Sequence, residues 1–120
     1  TAWPAFDLEP HQVWYKNRTV LIGDAAHATL PYLAQGAAMA LEDACVLAQL
    51  IRNSAAPETA FSEFAKRRHA RTGAIQNRSR QLGKIYHAAG VMRHIRNLVL
   101  KTTPPSSFLK QVSWIYDWKI

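Results

Sequence analysis

The sequence predicts an α/β fold of short strands, a ligand-binding loop and then long carboxyl-terminal helices. Three observations carry that prediction. An apolar run, Thr19-Val-Leu-Ile22, ends at Gly23-Asp24. A loop of about eight to twelve residues follows, with Pro31 inside it. From Gly36 onward, apolar residues recur at three- and four-residue steps, the spacing of one helix face. In α/β proteins ligands sit where strand carboxyl ends meet helix amino ends, so this layout predicts a binding site.

Each element has its local reason. Pro4 and Pro10 discourage regular structure, so residues 1–12 read as an extended approach. Val13-Trp14-Tyr15 and Thr19–Ile22 read as two short strands around a Lys16-Asn17 turn, since asparagine tolerates a positive φ. The second strand is continuously apolar, as expected of a strand covered on both faces. Residues 24–35 form the loop. A helix then runs from Gly36 to about Asn53, with Ala37, Ala40, Leu41, Ala44, Leu47, Ala48 and Ile51 as its inward stripe. Ser54-Ala-Ala-Pro57 ends it, because proline disfavours a helical conformation in the residue before it. A second helix is expected from Pro57 or Glu58 to near Leu82, with Phe61, Phe64, Ala65 and Ile75 inward. A third runs from Lys84 to about Leu100 on a stripe of Ile85, Ala88, Ala89, Met92, Ile95 and Val99. Gly83 either separates the two or sits in one bent helix. Thr102-Thr-Pro-Pro-Ser-Ser107 stops the pattern, and the tail from Phe108 to Ile120 is rich in aromatics.

Composition narrows the class. A chain of 120 residues with 48% hydrophobic residues is one domain or one piece of a larger one, and is not compositionally disordered. No apolar run approaches the roughly 20 residues that cross a bilayer, so no membrane partner is expected. The single cysteine, Cys45, excludes an internal disulfide and fits a reducing compartment, for which cytoplasm is the default. The net charge is +7, and ten basic residues fall between Lys66 and Lys101 with no acidic one. Such a block suits nucleic acid or an acidic partner. The plainer explanation, a solvated helix face whose acidic complement lies elsewhere in a longer protein, is preferred.

The loop and its flanks carry the chemistry. Asp24, after a glycine at a strand's carboxyl end, is placed either to accept a hydrogen bond from a sugar hydroxyl or to cap the next turn. Gly23 lets backbone approach a ligand closely because it has no Cβ. Ala25 and Ala26 are small, which suits a ligand or close packing equally. Gly36, Ala37 and Ala38 open a helix, where unpaired N–H groups and the positive end of the dipole await an electron-rich group. The same small residues also suit tight helix packing. Glu42 and Asp43 sit in the second turn, where acidic residues are mildly stabilising, and no chemistry is assigned to them. His27 reads as structural. His87 and His94 are too far apart for one zinc site, so no metal site is expected.

Arg18-Thr-Val-Leu-Ile-Gly-Asp-Ala-Ala-His27, then Pro31-Tyr-Leu-Ala-Gln-Gly-Ala-Ala38, then Glu42-Asp-Ala, resembles the second flavin-binding motif of class A FAD-dependent aromatic monooxygenases, in particular the salicylate-hydroxylase-like group. The match is sharp over residues 18–51. It continues more weakly through Phe64, Arg68, Arg71, Ser79-Arg80, Tyr86-His87 and Trp114–Asp117. The resemblance implies a fragment of a PHBH-like FAD-binding fold. Residues 1–56 would be the carboxyl-terminal portion of the FAD-binding domain, and residues 57–120 a helical segment with an aromatic tail.

It also implies FAD as cofactor, NADH or NADPH as reductant, and O2 with a small aromatic, salicylate-like substrate. Hydroxylation would proceed through a flavin C4a-hydroperoxide. Gly23 and Asp24 would meet the ribityl or ribose hydroxyls of FAD. Gly36, Ala37 and Ala38 would stabilise the N1–C2=O edge of reduced flavin. Pro31 would lie beside the reactive edge of the ring and wall the substrate pocket, the one catalytic position the resemblance assigns. Tyr32 is a candidate for the same wall. Neither a Gly-x-Gly-x-x-Gly nor an Asp-Gly motif is found, so the resemblance implies that the rest of the flavoenzyme precedes Thr1. The chain alone is then not expected to be a competent catalyst. A stand-alone basic helical module is the competing expectation.

Overall fold

A computed structural model describes residues 4–119. The first three residues of the expected extended approach, and Ile120 at the end of the tail, lie outside the described residues. Residues 4–14 lack regular structure, as two prolines in that stretch require. A hairpin follows, β1 (Tyr15–Lys16) pairing antiparallel with β2 (Thr19–Val20) in the register Tyr15↔Val20 and Lys16↔Thr19. Asn17 takes φ 51° in the turn, a conformation asparagine adopts more readily than most residues. The Leu21 N–H donates to the Trp14 carbonyl at 2.7 Å, continuing the pairing.

The strand covered on both faces is not found. β2 spans two residues, Val20 and Leu21 are half-buried, and Ile22 is exposed. Among the described residues its sole strand neighbour is β1, and the core lies on one side. The expected loop over 24–35 is also partly helical. Asp24–His27 forms a single helical turn, α1, and Pro31–Leu33 a 3-10 turn closed by Ala34 at φ 52°.

The long helix α2 (Gly36–Asn53) has the expected bounds, but it faces the other way. Its buried residues are Met39, Asp43, Val46 and Leu50, whereas Ala37, Leu41, Ala44, Ala48 and Ile51 of the expected stripe are exposed. The reason is Asp43. Apolar periodicity excludes an aspartate from the inward face, yet this one is buried because its charge is fully partnered there.

Helix α3 (Pro57–Tyr86) starts at proline, which suits a first helical position, and packs along α2 as the second arm of a helical hairpin. Phe61, Phe64, Ala65 and Ile75 are inward, as expected. They join Trp14, Ala26, Val46 and Leu50 in one apolar cluster, and Leu33, Met39 and Ile115 in another. Gly83 does not break the helix. α3 passes through it and ends at Tyr86, and α4 (Gly90–Thr102) begins at a glycine with φ 54°. The inward stripe expected along α4 is not buried either: no residue of that helix is. α5 (Pro105–Tyr116) follows the Thr103-Pro104 stop and buries Ile115.

Candidate functional site

The site forms where the end of β2 turns into α1 and meets the start of α2. Gly23 is buried, with φ 56° and ψ −140°, a backbone conformation that side chains disfavour. A Cβ there would also press the Ala40 methyl at 3.3 Å. Glycine is therefore required by both conformation and space. Asp24 is exposed and opens α1. A Cβ on Gly36 would lie 3.9 Å from Asp24 Oδ1, so the fold brings this carboxylate to the amino end of α2.

No side chain caps α2. The Gln35 amide, at the capping position, donates instead to the Leu33 carbonyl at 3.3 Å. Ala37 is exposed and Gly36 and Ala38 half-buried, so small residues surround the open end of an 18-residue helix. Such an end presents N–H groups and a positive dipole terminus to an electron-rich group. Pro31 is exposed at the head of its own 3-10 turn, whose geometry the Ala34 N–H fixes by donating to the Pro31 carbonyl at 3.0 Å. Asp24 and Gly36 are thus neighbours, and Pro31 stands on a separate turn of the same connection.

Beneath this surface lies a polar network that periodicity did not find. Asp43 Oδ2 accepts the Gly23 N–H at 2.9 Å and His27 Nε2 at 2.5 Å, and Oδ1 accepts Arg68 Nε at 2.7 Å. All three side chains are essentially without solvent. Arg68 also pairs with Glu42 at 2.6 Å, and Arg71 grips Glu42 with two donors at 2.8 and 2.6 Å. The Trp118 ring stacks beside both guanidinium groups, 5.0 and 5.1 Å from its centre. Burial by itself raises the Asp43 carboxyl, but the hydrogen bonds from His27, the Gly23 N–H and Arg68 outweigh it and leave it below its ordinary value. Glu42 behaves alike: burial raises it, and bonds from Arg71 and Arg68 bring it lower. An ionised Asp43 only accepts hydrogen bonds, so His27 Nε2 donates to it. His27 is structural, as its place in the sequence suggested, and Asp43 is the residue that pins the Gly23 backbone.

Helix α3 holds the loop in the same manner. Gln76 donates to the carbonyls of Leu8 and Ala28 at 2.9 and 3.1 Å, and Ser79 to that of Leu30 at 2.6 Å. These bonds satisfy loop carbonyls that buried backbone must not leave unpaired. The signal for them was a polar residue every three or four positions along α3 (Arg68, Thr72, Gln76, Ser79), all buried. The basic block also changes meaning. Arg67, Arg68, Arg71 and Arg80 pair with Glu63, Asp43, Glu42, Asp7 and Glu9 of this same chain. Four of the ten cations in that block therefore find acidic partners within this chain. Arg96 is engaged too, donating to the Ile85 and Tyr86 carbonyls at the end of α3. Among the described residues no helix is long and apolar enough to cross a membrane.

Comparison with known proteins identifies the family of the chain. The family described as FAD binding domain matches residues 10–79. A 3-hydroxybenzoate 6-hydroxylase of Klebsiella oxytoca is 42% identical over 118 residues, which are 98% of this chain and 30% of that protein. The 3-amino-4-hydroxybenzoate 2-monooxygenase PtmB3 of Streptomyces platensis is 34% identical over 98% of this chain and 29% of its own length. Klebsiella pneumoniae HpxO, solved in complex with FAD and uric acid, superposes with a TM-score of 0.81 at 26% identity. That superposition covers 88% of this chain and 27% of HpxO. The chain thus spans about 30% of the length of the curated relatives it matches.

Proposed function

The chain belongs to the FAD-binding-domain family, in the branch of the FAD-dependent aromatic monooxygenases, and from that premise we propose that it is the carboxyl-terminal part of an enzyme that hydroxylates a monohydroxybenzoate-type ring. Bound FAD, reduced by NADH or NADPH, supplies the oxygen chemistry. The residues of this chain bind and orient it. One observation carries the reading: an exposed carboxylate, Asp24, stands beside the uncapped amino end of α2. This pair fits a flavin nucleotide, which offers hydroxyls to a carboxylate and an electron-rich carbonyl edge to helix N–H groups.

In this proposal Asp24 accepts from a ribityl or ribose hydroxyl, and Gly23 keeps the backbone close. Gly36, Ala37 and Ala38 receive the flavin's N1–C2=O edge, and Pro31 walls the aromatic substrate. Residues 1–56 form the flavin-facing portion and residues 57–120 its helical support. The ring carries an acid group like that of salicylate or of the hydroxybenzoate relatives. Residues beyond this chain choose the position attacked. The cytoplasm, with its NADH and NADPH, is the compartment that fits.

The test is made on the full-length protein. It should purify with FAD, and 3-hydroxybenzoate or salicylate should accelerate its NAD(P)H oxidation. Asp24→Ala should weaken FAD by about 10- to 100-fold, the worth of one hydrogen bond to a charged group. A full-length protein without flavin, or an Asp24→Ala variant that holds FAD as tightly as its parent, would sink the proposal.

A further inference from the structure

Gly83 lies in the interior of α3, where glycine is disfavoured relative to alanine and where no turn or positive φ requires it. It is buried, and its neighbour explains it. A Cβ at this position would lie 2.5 Å from Tyr32 Cε2, 3.1 Å from Cδ2 and 3.2 Å from Cζ. The missing side chain is a notch in the helix, and the Tyr32 ring fills it. The tip of the tyrosine then meets residues at the solvent-exposed end of α3. Its hydroxyl is 2.8 Å from His87 Nε2, and the rings of Tyr86 and His87 meet it edge-on at 5.7 and 5.9 Å. Arg96 of α4 holds this end of α3 by its bonds to the Ile85 and Tyr86 carbonyls.

Tyr32 is the middle residue of the Pro31–Leu33 turn. Leu33 anchors one side of that turn in the apolar cluster with Met39 and Ile75, and Ser79 grips the Leu30 carbonyl just before it. The tyrosine is the third anchor, and it reaches a different part of the molecule. We propose that Tyr32 is a positioning residue for the substrate wall, with Gly83 as its socket and His87 as its latch. Through it the end of α3 sets where Pro31 stands relative to an aromatic acid. This rests on the functional reading above, in which Pro31 walls the substrate.

Two variants of the full-length protein test it. Gly83→Ala favours the helix yet evicts the ring, so the fold should persist while the turn loosens. Tyr32→Phe keeps the ring and removes the bond to His87. Hydrogen exchange of residues 30–35 should rise in Gly83→Ala, and less in Tyr32→Phe. Binding of the hydroxybenzoate probe, followed by its perturbation of the flavin absorbance, should weaken about fivefold in Tyr32→Phe. In Gly83→Ala it should weaken at least as much, with kcat/KM reduced by about 10- to 100-fold. FAD affinity should be unchanged in both. Unchanged exchange in Gly83→Ala would overturn the socket. Faster exchange with unchanged probe binding would overturn the positioning role. If the parent protein holds no flavin, the functional reading falls and the positioning role with it, whereas the exchange data still decide whether the socket exists.

Discussion

The α2–α3 pair and the α4–α5 pair are each two helices joined by a short linker, yet they are built on opposite principles. The first pair buries charge. Asp43 and Arg68 are shielded from solvent along their facing sides, and polar residues of α3 run down the same inward face. The second pair exposes its apolar residues. Val91 is 74% exposed and Leu98 63%, and α4 buries nothing. The first pair carries the candidate site, and its polar interior holds Gly23 and the loop that follows it in place. The contrast teaches that in this chain hydrophobicity and burial are separable. The residues that shape the candidate site are polar ones on a buried face that the apolar stripe did not indicate.

The largest test of that contrast removes Asp43. Asp43→Ala leaves Arg68 Nε, His27 Nε2 and the Gly23 N–H buried without their shared acceptor, while Arg68 keeps Glu42, and breaking a buried charge network this way costs about 3–5 kcal/mol. Urea unfolding of the protein beside its parent measures it. A loss below about 1 kcal/mol would mean that the network is incidental to the fold.

A milder test uses pH. Asp43 and Glu42 are both held below their ordinary values of 3.8 and 4.5. Their contribution is therefore full above those unfolded values and is lost as pH falls through the lower folded ones. Unfolding free energy should fall steadily as the protein is acidified below pH 4.5, and Glu42→Gln should flatten part of that slope. An unaltered slope in Glu42→Gln would show that the Arg68–Glu42–Arg71 bridge adds nothing specific to folding. The smallest effect is expected on the other side of the comparison. Val91→Ser on α4 should change stability by no more than about 0.5 kcal/mol, because the side chain already meets solvent. A loss several times larger in the same unfolding assay would show that α4 is covered in the protein tested, and would narrow the contrast.

Local chemistry determined a good part of this protein in advance. The bounds of α2, the proline start of α3, the positive φ at Asn17 and the inward Phe61, Phe64, Ala65 and Ile75 all follow from neighbours within a turn or two. The family was legible as well, because the Gly-Asp-Ala-Ala-His and Pro-Tyr-Leu-Ala-Gln-Gly runs lie close together in the chain. Tertiary structure decided the rest. Which face of α2 turns inward depended on Arg68, 25 residues away, neutralising Asp43. Whether Gly83 ends a helix or receives a ring depended on Tyr32, 51 residues earlier (83 − 32). Propensity and periodicity average over a few residues of one segment, so they price a buried charge or a missing side chain as a defect. The partner that makes each of them favourable comes from another segment, and only the folded chain brings it there.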